Sequence, residues 1–320
     1  MSSSKAKKER RRLVLDIPDR LPVPIVDNHT HIFPDPAVGL DGDAPVQNTD
    51  DAGNLRMPVL LATLRDGMAK AGVRAAISSG CEVPMLEFTH DLARDVPEIW
   101  AALAIHPNDA ALHAGVREVA PDGLEPHVDP WHDELSLDDA VAKVAQLSVD
   151  PCVVAIGETG LDYFRTGDTG KQAQQDAFRA HIALAKELGK PLQIHDRDAH
   201  GDVIDILLTD GAPERTVFHC FSGDREMTQL CAEHGWYASF AGPLTYGPNV
   251  ELQEAFDVMP DNLILVETDA PYLTPVPFRG HPNVAWGVGY TVRFMAERRG
   301  MRLEDWCSII DNNTRNVYGI

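Results

Sequence analysis

The sequence predicts an α/β protein folded as a (β/α)8 TIM barrel, and three observations carry that prediction. Eight short apolar runs alternate with longer amphipathic stretches along the chain. The 320 residues contain no repeat, low-complexity tract or linker, and about 250 residues suffice for one such barrel. Ionisable residues stand repeatedly at the carboxyl ends of the apolar runs, where barrels carry their chemistry. A doubly wound open sheet is the competing architecture, but no glycine-rich phosphate loop follows the first run.

The elements follow in order. Residues 1–20 read as a mobile basic tail. Its first twelve residues hold Lys5, Lys7, Lys8, Arg10, Arg11 and Arg12 against Glu9, a charge of +5. Arg11-Arg12 hints at a twin-arginine signal, but Asp16, Pro18, Asp19 and Arg20 interrupt the apolar stretch that export needs. Residues 21–320 form one predicted domain. Its first strand, 25–31, leaves Pro24-Ile25-Val26 and runs into Asp27-Asn28-His29-Thr30-His31, so Asp27, His29 and His31 share a face. The other strands are expected at 74–79, 99–105, 152–158, 191–196, 215–220, 236–241 and 263–269. Helical periodicity marks 57–71 and 172–188, the latter stopped by Gly189-Lys190-Pro191. Shorter helices fit 202–208, 225–234 and 250–258, and 303–317 reads as a closing helix on the barrel exterior.

Composition narrows the function classes. The chain is 44% hydrophobic and 24% charged, as in a globular enzyme with a large core. Its net charge is −21, so the part beyond the basic tail carries −26 and has no global footprint for duplex DNA. Cys81, Cys152, Cys220, Cys231 and Cys307 form no C-x-x-C pair, which favours reduced thiols and a cytoplasmic location. No apolar run approaches the length of a membrane span, and no feature points to an obligate protein partner.

The strand ends carry the chemistry. His29 and His31 end strand 1, His106 follows strand 3 and Glu158 ends strand 4. His195, His219 and Asp269 end strands 5, 6 and 8. One such residue is ordinarily a hydrogen-bonded polar group. Seven at one barrel mouth would leave carboxylates repelling and imidazoles unpartnered without a cation. Of these, four His, one Glu and one Asp suit Zn²⁺, Mn²⁺ or Mg²⁺ and suffice for two divalent ions.

At these residues the chain resembles the TatD-type metal-dependent hydrolases of the amidohydrolase superfamily, barrels with deoxyribonuclease activity. The matching motifs include Asp27-Asn28-His29-Thr30-His31, Ala104-Ile105-His106-Pro107 and Ile156-Gly157-Glu158-Thr159-Gly160-Leu161-Asp162-Tyr163. Ile194-His195-Asp196-Arg197-Asp198-Ala199, His219-Cys220-Phe221-Ser222-Gly223, Glu267-Thr268-Asp269-Ala270-Pro271-Tyr272-Leu273 and Asn313-Thr314-Arg315 follow in family order. The resemblance implies metal ligands at His29, His31, Glu158, His195, His219 and Asp269. One ion would take His29, His31 and Asp269 and the other His195 and His219, with Glu158 bridging. A shared carboxylate holds two cations about 3.5–4 Å apart and lowers the pKa of water between them. Asp269 is then the candidate to orient that water and accept its proton, and Glu158 the second catalytic residue.

Asp27 and Glu267 are expected behind the ligands or in core ion pairs. His106, Arg197 and Arg279 are the candidate substrate contacts, Arg197 because a guanidinium grips phosphate bidentately. An ion pair of Arg197 with Asp196 or Asp198 is the alternative. Where the family continues the loop after strand 8 with a basic residue, this chain has His281 before Pro282-Asn283. The loops 34–56 and 108–134 are long and rich in Asp, Gly and Pro; they read either as surface insertions or as an acidic lid. Cys220 and Cys152 read as structural, with Cys220 facing away from the ligand side of its strand. The expected function is hydrolysis of phosphodiesters at DNA 3′ ends or in a small phosphodiester. The alternatives are an amide, ester or lactone substrate at the same site, or a non-catalytic metal-binding protein.

Overall fold

The computed structural model describes residues 14–34 and 59–320. The basic residues 1–13 and the segment 35–58, which holds nearly all of the first long loop, lie outside the described residues.

Eight parallel strands form one sheet in sequential order: β1 (Ile25–Thr30), β2 (Val73–Gly80), β3 (Ile99–Leu103), β4 (Val153–Asp162), β5 (Leu192–Arg197), β6 (Thr216–Phe218), β7 (Tyr237–Phe240) and β8 (Ile264–Val266). The helices between them are α1 (Leu61–Ala71), α2 (Val83–Asp95), α3 (Pro107–His113), α4 (Pro130–Glu134), α5 (Leu137–Leu147), α6 (Lys171–Leu188), α7 (His200–Asp210), α8 (Arg225–His234) and α9 (Val250–Val258). Two more, α10 (Val288–Arg299) and α11 (Leu303–Tyr318), follow the last strand. The predicted barrel is the observed fold, and every expected strand is present. No helix among the described residues is long and apolar enough to cross a membrane.

The ring closes between its first and last strands at the level of the mouth. Thr30 bridges Ala270, the Asp269 amide donates to the His29 carbonyl at 2.9 Å, and the His31 amide donates to the Ala270 carbonyl at 2.7 Å. Below them Asn28 Nδ2 donates to the Val266 carbonyl at 2.8 Å. Barrel closure therefore sets His29, His31 and Asp269 side by side, although some 240 residues of sequence separate them.

Two layers of apolar packing support the ring. The larger core lies between strands and helices, where Phe178, Phe256 and Trp306 are fully buried. A smaller one lies inside the ring, since Val26, Ile77, Val154, Val217 and Leu265 come from strands on all its sides. Val317 and Tyr318 join this inner cluster. The last helix is thus not confined to the exterior as the sequence suggests: its end fills the barrel floor, and Tyr318 Oη accepts a hydrogen bond from Gln193 Nε2 at 2.8 Å. In the second long loop, α3 and α4 occupy the ends and fix them to the barrel. Arg117 pairs with Asp133 at 2.7 Å, Asp122 pairs with Arg165 at 3.1 Å, and Glu118 accepts from the Gly170 amide at 3.1 Å.

Candidate metal centre

Strand ends β1, β4, β5 and β6, and the residue Asp269 beyond β8, aim six side chains at one point. Glu158 sits in the middle. Its Oε1 lies 3.5 Å from His31 Nε2 and 4.0 Å from His29 Nε2. Its Oε2 lies 2.5 Å from His219 Nε2 and 3.3 Å from His195 Nδ1. The two oxygens of one carboxylate thus face two different imidazole pairs, as a bridging ligand requires. Asp269 Oδ1 completes the first group, 3.4 Å from His31 Nε2 and 3.9 Å from His29 Nε2. Ligand atoms of His29, His31 and Glu158 lie within 4.8 Å of one another, as do those of His29, His219 and Asp269 and those of Glu158, His195 and His219. Two ligands bonded at about 2.0–2.1 Å around a tetrahedral ion stand about 3.3 Å apart, so the separations of 3.3 to 4.0 Å suit shared cations. The 2.5 Å contact of Glu158 with His219 is a direct hydrogen bond that an ion between them would open.

The sharpest fit test is His29. It is fully buried, and its Nδ1 meets Gln193 Oε1 at 3.0 Å, so Nδ1–H donates there. The other nitrogen, Nε2, has no hydrogen-bond partner and points at the two carboxylates. A buried, unpartnered lone pair is costly unless something electron-deficient meets it. Burial and the neighbouring His219 push His29 down to about 3, so this imidazole is neutral. The donor set therefore fits divalent cations.

Protons take the cations' part in the metal-free centre. Burial opposes charge on His219 and His195, but neighbouring carboxylates override it, Glu158 at His219 and Asp162 with Glu158 at His195. His219 is raised well above the ordinary imidazole range, and His195, also bonded to Asp162, rises to about 9. Burial alone would likewise raise Glu158; the charges of His219 and the hydrogen bond from His195 hold it well below the carboxylate range. Asp269 is lowered in the same way, mainly by His31.

A shell of hydrogen bonds orients the ligands. Glu267 Oε1 lies 3.3 Å from His219 Nδ1 and accepts from the Cys220 amide at 2.7 Å. Asp27 accepts from the Thr268 amide and hydroxyl at 2.7 and 2.6 Å, which fixes the backbone entering Asp269, and it also hydrogen-bonds the His29 backbone. Asp162 Oδ2 meets His195 Nε2 at 3.3 Å. His106, Asp162 and His195 also lie within ligand distance of one another. A cation there would need both nitrogens of His195, so Asp162 reads instead as the carboxylate that orients this imidazole. The sequence reading did not single out Asp162 or Gln193. For Asp162 the signal existed: β4 runs on to 162, and alternation puts 158, 160 and 162 on one face. Gln193 carries no such mark.

Gly160 allows this crowding. At φ +141° it occupies a conformation that side chains rarely adopt, and a Cβ there would lie 2.0 Å from the His195 carbonyl oxygen. Asp269 and Cys220 themselves have positive φ, +53° and +43°, so the backbone is strained on both sides of the cluster.

The cluster opens into a cavity of about 1200 Å³. His106 and Arg197 line it. His106 Nδ1 accepts from the Asn108 amide at 3.2 Å, and burial lowers this imidazole to about 4, so a neutral ring presents its Nε2–H. Arg197 stacks on Phe164, 4.0 Å from the ring centre, while His200 takes the carboxylate of Asp196 at 2.7 Å. Arg165 is a second guanidinium on the wall. Arg279 is not brought to the lining; it stacks on Tyr246 at 4.1 Å. Cys220 corrects the sequence expectation: β6 ends at Phe218, the strand alternation lapses, and Cys220 lines the cavity, as does Cys81, whose Sγ lies 3.7 Å from Glu158 Oε1. Cys152 is half-buried near His90, away from this centre. A second cavity of about 700 Å³, walled by residues of the 108–134 segment, shares Glu82, Asp109 and Arg165 with the first. Burial and Asp109 push Glu82 up to about 7.

Comparison with known proteins agrees with the geometry. The family model described as TatD related DNase matches residues 26–319. A Mycobacterium tuberculosis protein named as an uncharacterized metal-dependent hydrolase, TatD, is 35% identical over 92% of this chain and 98% of its own length. The 3′-5′ ssDNA/RNA exonuclease TatD of Escherichia fergusonii is 30% identical over 78% of this chain and 89% of its own. Among solved structures, the TatD homologue YJJV of Escherichia coli superposes with a TM-score of 0.68 at 25% identity, covering 81% of this chain and 91% of that one. With a match that spans nearly every strand of the barrel and all six clustered side chains, the chain belongs to the TatD family of metal-dependent hydrolases.

Proposed function

We propose that this protein is a phosphodiesterase of the deoxyribonuclease kind that trims the 3′ ends of single-stranded DNA. The observation that carries the reading is the split carboxylate of Glu158, whose two oxygens face separate imidazole groups at the mouth of a cavity also lined by Arg165 and Arg197. His29, His31 and Asp269 would hold one divalent ion and His195 and His219 the other, with Glu158 shared. When bound, such ions lower the pKa of water and neutralise charge on phosphate oxygens. Zn²⁺, Mn²⁺ and Mg²⁺ are each compatible with this donor set.

The chain's own residues supply the rest. Asp269, held ionised beside His31, is placed to orient a water and accept its proton. Arg197, stacked on Phe164, and the Nε2–H of His106 present donors to phosphate oxygens. The docked 108–134 segment walls the second cavity, which adjoins the first at Glu82, Asp109 and Arg165, and this suits a strand end better than an uninterrupted duplex. The name of the Escherichia fergusonii relative points the same way.

A second reading keeps the centre and changes the substrate to a lactone or ester. The acidic lining at Glu82 and Asp109 and the net charge of −21 favour it, because both disfavour a polyanion. The deciding experiment loads the protein with Mn²⁺ or Zn²⁺ and presents end-labelled single-stranded oligonucleotides, bis-nitrophenyl phosphate and a lactone panel. Stepwise loss from the 3′ end supports the nuclease. Lactone turnover without oligonucleotide cleavage rejects it.

A further inference from the structure

A second group of metal-ligating side chains lies near the other end of the barrel. His90 on α2, and Asp150 and Cys152 in the turn entering β4, place one ligand atom each within 4.8 Å of one another. Cys152 precedes β4 and Glu158 stands six residues further along, so at ~3.3 Å per residue the two are about 20 Å apart. None of the three belongs to the centre described above.

The local geometry is that of a ligand set. His90 Nε2 stands 3.4 Å from Asp150 Oδ2, close to the edge of a tetrahedron drawn around one ion with bonds of about 2.0–2.1 Å. His90 Nδ1 lies 3.0 Å from Asp91 Oδ1. Nδ1–H donates there, which turns the Nε2 lone pair toward Asp150 and Cys152; a carboxylate on the far nitrogen is the usual orienting partner of a ligating imidazole. The Cys152 amide donates to Asp150 Oδ1 at 3.0 Å and leaves Oδ2 facing the imidazole. Cys152 Sγ sits 3.7 Å from the His90 carbonyl oxygen, so the thiol is held beside the same residue. The side chain of Asp150 is 37% exposed, which gives an ion access from solvent. The surrounding charges are Asp91 with its partner Arg94 at 2.8 Å, and Lys190, whose ammonium donates to the Asp150 carbonyl at 3.0 Å and to the Val153 carbonyl.

We propose that His90, Asp150 and Cys152 bind one zinc-class divalent cation, with water as the fourth ligand. A thiolate, an imidazole and a carboxylate together prefer Zn²⁺ or Co²⁺ over Mg²⁺ and Ca²⁺. Binding forms the sulfur–metal bond as the thiol proton leaves to solvent. The ion ties the second half of α2 to the turn that enters β4. Its position at the amino end of the strand, where barrels carry stabilising rather than catalytic features, makes it a structural clip.

The test strips the full-length protein with chelator and titrates it with Co²⁺, following the sulfur-to-cobalt charge-transfer band in the near ultraviolet, with retained zinc counted in parallel. Cys152→Ser and His90→Gln are each expected to abolish the band and to retain one equivalent of zinc fewer than the parent. Cys81→Ser and Cys220→Ser, whose thiols line the barrel mouth, are expected to keep it. Asp91→Asn, which leaves all three ligands in place, is expected to weaken cobalt affinity about 10–100-fold. A parent protein with no band, or a band that survives Cys152→Ser and disappears with Cys81→Ser or Cys220→Ser, overturns the proposal. His90 then only joins α2 to the turn before β4 through its contacts with Asp91 and Asp150.

Discussion

Removing the metal should make the stability of this protein fall steeply with pH across the neutral range. In the metal-free centre His195 sits between Glu158 and Asp162, and their carboxylates raise it from 6.5 to about 9. The folded value lies above the unfolded one, so the folded state binds the extra proton. That contribution is complete below pH 6.5 and gone above pH 9. At about 1.4 kcal/mol per pH unit it amounts to about 3 kcal/mol, a substantial part of the stability of an ordinary domain. His219 shifts in the same direction for the same reason and adds to the slope. The assay is urea unfolding of chelator-treated protein at pH 6.5, 7.5 and 9, repeated after saturation with Zn²⁺ or Mn²⁺. The metal-free series should lose stability stepwise, and the loaded series should not, because bound cations occupy the place of the protons. Glu158→Gln should make the metal-free series shallower by removing the charge shared by both imidazoles, while Asp162 still raises His195 and Glu267 still raises His219. A metal-free protein whose stability is level or rising from pH 6.5 to 9 would refute the reading of Glu158 as the shared partner of these histidines.

Three further outcomes follow from the same geometry. Asp162→Asn should lower metal affinity about 10–100-fold, measured by competition with a chromophoric chelator, because His195 loses the carboxylate that orients it. Gly160→Ala should cost about 2–4 kcal/mol in denaturant unfolding, since the new methyl meets the His195 carbonyl and the backbone conformation disfavours a side chain. Glu82 is raised from 4.5 to about 7 by burial and Asp109, so its ionisation costs the fold stability as pH climbs through that interval. Glu82→Gln should therefore stabilise the protein by at most about 3 kcal/mol above pH 7 and change nothing near pH 4.5, read from the same unfolding curves.

The sequence revealed those parts of the structure in which one strand speaks for itself. Apolar runs ending in His29, Glu158, His195, His219 and Asp269 carry both the strand and its ligand in a few consecutive residues, and the barrel brings these ends together. Partners made by closure of the ring left little local trace. Gln193 reaches His29 from four strands away, and nothing around Gln193 marks it. Asp162 was hidden because the strand continues past the point where its apolar residues stop. Cys220 turned to the cavity because β6 is only three residues long and the positive φ that follows cancels the alternation. Among the helices, α10 was invisible to periodicity: Val288, Gly289, Thr291, Val292, Met295 and Ala296 are all buried, so little amphipathic contrast remains. The substrate contacts were the least legible part. Arg197 reached the cavity and Arg279 did not, a difference set by stacking on Phe164 and on Tyr246 rather than by either residue's own neighbourhood in sequence.

Whether Glu158 joins two cations at the mouth of the barrel is decided by anomalous diffraction from crystals loaded with Mn²⁺ or Zn²⁺. Two peaks are expected about 3.5–4 Å apart on either side of the Glu158 carboxylate, one beside His29, His31 and Asp269 and the other beside His195 and His219. A single peak that Glu158 does not touch, or no peak at the mouth at saturating metal, would contradict this bridging role.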